Sequence, residues 1–259
     1  MTPVDMSTPG APTPQDIATA TQRLREDLAL AYRLFAHLDM TDTVYTHLSV
    51  RLPGPGHRFL VNPYGYLFEE ITASSLVEVD ARGQPAQPTT MPVNPAGFVI
   101  HSAVHGRRPD AACVMHTHTL AGMAIAAQQG GLLPINQISM EFYNAVAVHE
   151  YEGIAEDRNL SERERLVRDL GDHKVMILKN HGLLSVGRTI AEAFYYMYYL
   201  EQACRIQLAA QSGGQPLSIP SPQMLAHVRS QFSTGADKGE MLWNALRRKM
   251  QREQPDYMT

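Results

Sequence analysis

Two short apolar runs, each followed by histidines, constrain this chain more than any other feature. Ala112–His116 (Ala-Cys-Val-Met-His) and Val175–Leu178 (Val-Met-Ile-Leu) are too short for buried helices and show no polar alternation. Such runs are the mark of strands covered on both faces. Leu183–Val186 reads the same way. The chain is therefore expected to build a sheet covered by helices, and that sheet carries His116-Thr117-His118 at one strand end and Asn180-His181-Gly182 at another.

The rest of the sequence supplies the cover. Ile17, Leu24, Leu28, Ala31, Phe35 and Leu38 fall at helical spacing and predict a long amphipathic helix ending near Asp39. Extended stretches follow at Thr46–Arg51, Arg58–Asn62 and Leu76–Asp80, separated by turns such as Pro53-Gly54-Pro55-Gly56. Asn94-Pro95 opens a helix that stops at Gly106, as an N-cap followed by proline should. Further helices are expected at Thr119–Gln128, Glu162–Leu170, Thr189–Ala210 and Lys238–Arg252. In the third of these the aromatic run from Phe194 to Tyr199 makes the helix apolar nearly all round, and a subunit interface is the expected cover. Elements mixed in this order predict one α/β domain over 17–259, preceded by a mobile Pro/Thr/Gly/Ser-rich arm over 1–16.

Composition narrows the function. A net charge of -4 with interspersed signs speaks against a nucleic-acid partner; the one basic cluster, Arg247-Arg248-Lys249, is followed by Glu253 and Asp256. No apolar run reaches the length of a membrane span and no signal pattern opens the chain, so no membrane partner is expected. The two cysteines, Cys113 and Cys204, lie inside apolar runs and form no C-x-x-C pair, so a cytoplasmic location is expected.

The histidines carry the chemistry. Side chains at i and i+2 of a strand point the same way, so His116 and His118 can converge while Thr117 turns aside. His181 follows a second buried strand, with Gly182 to let the backbone turn beside it. Three neutral imidazoles leave a coordination position open, the arrangement of a catalytic metal site. His101 and His105 compete at the i, i+4 spacing of helical zinc ligands, but Ser102 stands where an accompanying Glu is needed. One is expected in the core and the other near the surface. His47, His149 and His173 are single histidines near turns, for which a structural role is the default.

Arg108–His118 (Arg-Pro-Asp-Ala-Ala-Cys-Val-Met-His-Thr-His) and Ile177–Val186 (Ile-Leu-Lys-Asn-His-Gly-Leu-Leu-Ser-Val) resemble the two metal motifs of class II aldolases. Gly131-Leu-Leu-Pro-Ile135 and Glu192-Ala-Phe-Tyr-Tyr196 resemble the adducin branch. The resemblance spans about Leu24 to about Gly214. It implies a three-layer α/β/α sandwich around a mainly antiparallel sheet and a homotetramer with active sites between subunits. It also implies a divalent metal, zinc first and manganese or iron next, held by His116, His118 and His181.

The departures from the family bear on substrate. The aldolases' Ser-Ser-Glu segment reads Asn94-Pro95-Ala96-Gly97 here, with Gly97 in place of the acid/base Glu. Their Gly-Asn-x-Ser turn reads Thr46-His47-Leu48-Ser49, and Thr-Pro-Ser-Gly reads Asn62-Pro63-Tyr64-Gly65. Three phosphate-holding elements are altered, so a small non-phosphorylated carbonyl or carboxylate substrate is expected. His47, Asn62, Tyr64, Asn94 and Gly97 are its candidate binding residues, and the bulk of Tyr64 and His47 suits a planar or aromatic acid. Glu141, Tyr143 and His149 are the candidate acid/base groups for a lyase that cleaves by retro-aldol reaction or decarboxylation. An Fe(II) oxygenase on the same scaffold and a non-catalytic adducin-like domain are the alternatives.

Overall fold

The computed structural model describes residues 12–153, 160–232 and 237–259. Chain order is α1 (Pro14–His37), β1 (His47–Arg51), β2 (Phe59–Val61), β3 (Val77–Val79), α2 (Pro95–Arg107), β4 (Cys113–Thr117), α3 (Leu120–Ala126), α4 (Gln137–Met140) and β5 (Val146–His149). Then follow α5 (Leu160–Leu170), β6 (Val175–Leu178), β7 (Gly182–Gly187), α6 (Ile190–Ser212), α7 (Pro222–Phe232) and α8 (Glu240–Glu253). The strands form one seven-stranded sheet in the order β3-β2-β1-β4-β7-β6-β5. Every pair is antiparallel except β5 with β6.

Strand alternation divides the central sheet between two cores. Leu48 and Val50 of β1, Cys113 and Met115 of β4, Val175 and Ile177 of β6, and Leu183 of β7 pack with α1 and α6. Val114, Met176, Leu178, Leu184 and Val186 point the other way, onto Ile100 and Val104 of α2 and Leu166 and Leu170 of α5. Both faces are thus covered, which is why these strands read as continuous apolar runs. Each fully buried branched side chain contributes about 1.5–3 kcal/mol relative to exposure. The expected sandwich of helices, mainly antiparallel sheet and helices is the observed architecture.

Several local expectations are corrected. Helix α1 starts at Pro14, ahead of the expected Ile17, because Thr13 and Asp16 form a reciprocal cap; residues 1–11 of the expected arm lie outside the described residues. Val146–His149, for which no element was anticipated, is a strand paired in parallel with β6. Helix α7 was not anticipated, yet Ser221-Pro222 is a cap followed by proline and the Ser221 hydroxyl accepts from the Met224 N–H. In α6, Phe194, Met197 and Cys204 are buried as the spacing predicts, and Tyr195, Tyr196, Tyr198 and Tyr199 are half-buried in the single chain. Among the described residues no helix is long and apolar enough to cross a membrane.

Candidate metal centre

Strand register brings the histidines together. β4 and β7 pair antiparallel with His116 opposite Leu184 and Thr117 opposite Leu183. The β6–β7 turn therefore lies beside the end of β4. Thr117 points to the α6 side, its hydroxyl donating to Met197 Sδ at 3.4 Å, while His116 and His118 share the other side. The β6–β7 turn is tied to α3, where the Asn180 N–H donates to Ala126 O at 3.1 Å and Lys179 Nζ to Gln128 O at 2.7 Å. Asn180, with φ 55°, takes the left-handed conformation that reverses the chain.

Gly182 has a different reason to be glycine from the one expected. It carries no positive φ. A β-carbon there would overlap the Thr117 carbonyl and stand 3.2 Å from the His118 ring. The small residue lets β7 come close to the ligand-bearing end of β4.

His116, His118 and His181 each offer a ring nitrogen, and these lie within 4.8 Å of one another. Ring centroids are 4.7, 4.8 and 4.8 Å apart for the three pairs. His116 Nδ1 lies 2.9 Å from Leu183 O, which can only accept, so Nδ1 carries the proton and Nε2 presents a lone pair. His118 Nδ1 lies 2.9 Å from an Asp42 carboxylate oxygen, which assigns the same tautomer to neutral His118. The two Nε2 atoms then face each other at 2.9 Å. At this distance the pair needs a cation beside it, either a shared proton or a metal ion. Two nitrogens each about 2.0–2.1 Å from one tetrahedral zinc stand roughly 3.3 Å apart, near this spacing. The donor set therefore fits a divalent ion. Burial, and then the neighbouring His181, His118 and His47, pushes the His116 pKa well down; burial, and then His118, pushes His181 down to about 4. Both are held neutral, as ligands must be.

Next to this set lies a second group of imidazoles. His47 sits opposite His116 in the β1–β4 register, and its ring centroid is 4.0 Å from that of His101 and 6.0 Å from that of His116. Ser49 Oγ bridges His101 Nδ1 at 2.6 Å and His105 Nε2 at 2.8 Å, and His105 Nδ1 donates to Ala111 O at 2.8 Å. His101 and His105 are both buried, so the expectation that one is near the surface is corrected. They are tied to Ser49 and Ala111 rather than paired for a metal.

The other expected residues are dispersed. His149 is buried at the end of β5, its Nδ1 2.8 Å from Asp169, and it lines a narrow crevice that His181 also borders. Tyr143 lines a cleft of about 400 Å³ with Gly131, Val148 and Lys179. Glu141 is paired with Lys238 at 2.6 Å and accepts from Tyr195 at 3.0 Å. Asn62 is buried, its Oδ1 2.9 Å from the Tyr32 hydroxyl. Tyr64 is partly exposed in the turn after β2, and its N–H donates to Pro92 O at 2.8 Å. The Asn94 carbonyl accepts from the Phe98 N–H as α2 begins. Gly97 falls in the first turn of that helix, and its surroundings lie outside the described residues.

Sequence reasoning missed two residues beside the site. Asp42 orients His118, and nothing in the spacing of Thr41-Asp42-Thr43 announces it. Tyr151, half-exposed, has its ring 6.4 Å from that of His181, and only its place two residues after His149 hinted at this.

Residues 26–208 match the family model of the Class II Aldolase and Adducin N-terminal domain. The chain belongs to this family. Among solved structures, an aldolase II superfamily protein from Pseudomonas syringae is 49% identical with a TM-score of 0.88, over 93% of this chain and 96% of that one. An L-fuculose 1-phosphate aldolase from Glaciozyma antarctica is 30% identical with a TM-score of 0.83, over 97% and 96%. Alpha-adducin of Rattus norvegicus is 43% identical across 77% of this chain, which spans 28% of that protein. Class II aldolase and adducin relatives thus include both a named enzyme and a much longer adducin.

Proposed function

We propose that this family member is a divalent-metal-dependent carbon–carbon lyase acting on a small non-phosphorylated carbonyl compound or carboxylate. The observation that carries the reading is the convergence of ring nitrogens from His116, His118 and His181, with the first two Nε2 atoms 2.9 Å apart and an oxygen acceptor at each of their Nδ1 atoms. A divalent ion on His116, His118 and His181, zinc first and manganese or iron next, would polarise the substrate's carbonyl oxygen. Retro-aldol cleavage and decarboxylation both leave an electron pair on the carbon beside that carbonyl, and a proton must be returned there. Of the three acid/base candidates, His149 is the one we carry forward, because Asp169 fixes its Nδ1 and it lines the crevice beside His181. Tyr151 joins it on the strength of its ring position. Tyr143 stands behind them, and Glu141 is already engaged by Lys238. The altered turns at His47, Tyr64 and Gly97 support a substrate without phosphate, since a dianion is held by small hydroxylated residues and open N–H groups. A homotetramer, with its sites at subunit interfaces and the half-buried tyrosines of α6 as part of the cover, fits this reading, as does a cytoplasmic location with two free buried cysteines.

The test is metal analysis of protein purified without added metal, followed by a panel of aldol and decarboxylation substrates with Zn(II), Mn(II) and Fe(II). Turnover of a non-phosphorylated carbonyl acid, lost in His116→Ala, supports the proposal. A sugar phosphate as best substrate contradicts it, and the Glaciozyma relative makes that comparison necessary. Similarity to alpha-adducin favours a second reading, a non-catalytic binding domain. Bound metal with no turnover across the panel supports that one.

A further inference from the structure

His118 is half-buried after the end of its strand, and two separate attachments hold it. Its ring is held by Asp42, in the segment between α1 and β1, at 2.9 Å. Its backbone leads directly into Thr119, the N-cap of α3, whose hydroxyl accepts from the Gly122 N–H. Both attachments run to the same place on α6. The Thr119 hydroxyl donates to Glu201 Oε2 at 2.5 Å, and Arg205 Nε donates to Glu201 Oε1 at 2.7 Å. Arg205 Nη2 then reaches the carbonyls of Asp39 at 3.2 Å and Leu38 at 3.5 Å, where the Asp42 segment begins.

The segment needs such an anchor. Asp39, Thr43 and Thr46 have φ of 54°, 49° and 67°, in the left-handed region that residues with a β-carbon rarely adopt. Strained backbone persists only where its surroundings over-determine it. Glu201 is itself fully buried, a costly place for a carboxylate unless both oxygens are bonded, and here each has its donor. Neither Glu201 nor Arg205 is a ligand, and neither contributes to the apolar core.

We propose that the Glu201–Arg205 pair is the positioning element for His118, holding its backbone through Thr119 and its ring through Asp42, and so sets the affinity of the three-histidine site for a divalent ion. This rests on the metal-site reading. Outer partners of metal-binding histidines typically change affinity about 10–100-fold when removed.

The experiment uses the full chain, stripped by chelator and titrated with Co(II), reading ligand-field absorption and the dissociation constant, with circular dichroism confirming the fold. Arg205→Met should raise the dissociation constant about tenfold and change the cobalt spectrum, and Arg205→Lys should restore part of both. In an Asp42→Asn, Thr119→Val background, adding Arg205→Met should change the dissociation constant by less than about twofold, because both routes to His118 are already cut. If Arg205→Met does not fold, Glu201→Gln takes its place with a smaller loss expected. Wild-type affinity in a folded Arg205→Met or Glu201→Gln protein overturns the proposal, as does a further tenfold loss in the double-variant background. His116→Ala separates the two readings: cobalt bound there at wild-type affinity overturns the metal site itself.

Discussion

The carbonyl of Thr117 lies so close to Gly182 that a β-carbon on residue 182 would overlap it. The contact joins the end of β4 to the start of β7, between the residues that flank His118 and His181. Gly182→Ala must push these strands apart or tilt the turn. It should lower stability by about 1–3 kcal/mol, the usual cost of overpacking, and weaken metal binding as well. Chemical denaturation and metal content measure the two effects, and an unchanged value in both would show that the turn relaxes freely.

Metal should stabilise the fold by mass action. An ion that binds only the native chain at about 100 times its dissociation constant adds about 2.7 kcal/mol. Zn(II) or Co(II) added to stripped protein should therefore raise the melting temperature, and His116→Ala should remove the rise. A shift of equal size in that variant would place the ion elsewhere.

The buried His105 makes the metal-free fold acid-sensitive. Burial drives its pKa down to about 3, against the opposing pull of its bond to Ala111 O, and burial also holds His101 well below its usual value. The unfolded chain takes up these protons near pH 6.5 and the folded chain does so only near pH 3 for His105. Between those values the unfolded state binds more protons. The contribution to stability is therefore complete above about pH 6.5 and is lost as pH falls towards about 3, by up to about 1.4 kcal/mol per pH unit for each histidine. Urea denaturation across that range should show this slope, shallower in His105→Gln. A flat profile would mean that the histidines accept protons without unfolding.

The central sheet was legible because its physics is local. Val175–Leu178 and Leu183–Val186 have no polar face, and only a strand covered on both sides tolerates that. The three histidines stood at strand ends, so their convergence followed from a period of two and one further turn. His149 was harder. Its strand, Val146–His149, is an edge strand with Val148 exposed, and it lacks the apolar run of its neighbours. Asp42 and Arg205 could not be read from sequence at all. One lies 76 residues from His118 and the other 166 residues from Asp39, and their contacts exist only once the fold has closed. The reason for Gly182 was misread for the same cause: a missing β-carbon looks alike whether it frees a dihedral or makes room for a neighbouring strand.

Glu141 is where a catalytic and a structural role make opposite predictions. Its carboxylate holds Lys238 Nζ at 2.6 Å and accepts the Tyr195 hydroxyl at 3.0 Å. Lys238 also donates to Phe232 O at 2.8 Å and lies 4.7 Å from the centre of the Tyr195 ring. The side chains of Glu141 and Lys238 are only 6% and 15% exposed, so removing one partner leaves a charge poorly solvated. Glu141→Ala should therefore cost about 3 kcal/mol, within the range for breaking a buried pair, and adding Lys238→Met should recover part of it. Burial, and then the Glu141 charge, pushes the Tyr195 pKa up, so Glu141→Gln should let that phenol ionise at lower pH, which ultraviolet titration can follow. If Glu141 is this lock, Glu141→Gln keeps its turnover once a substrate is known and loses stability. If it is the acid/base, turnover collapses in a variant whose melting temperature does not move.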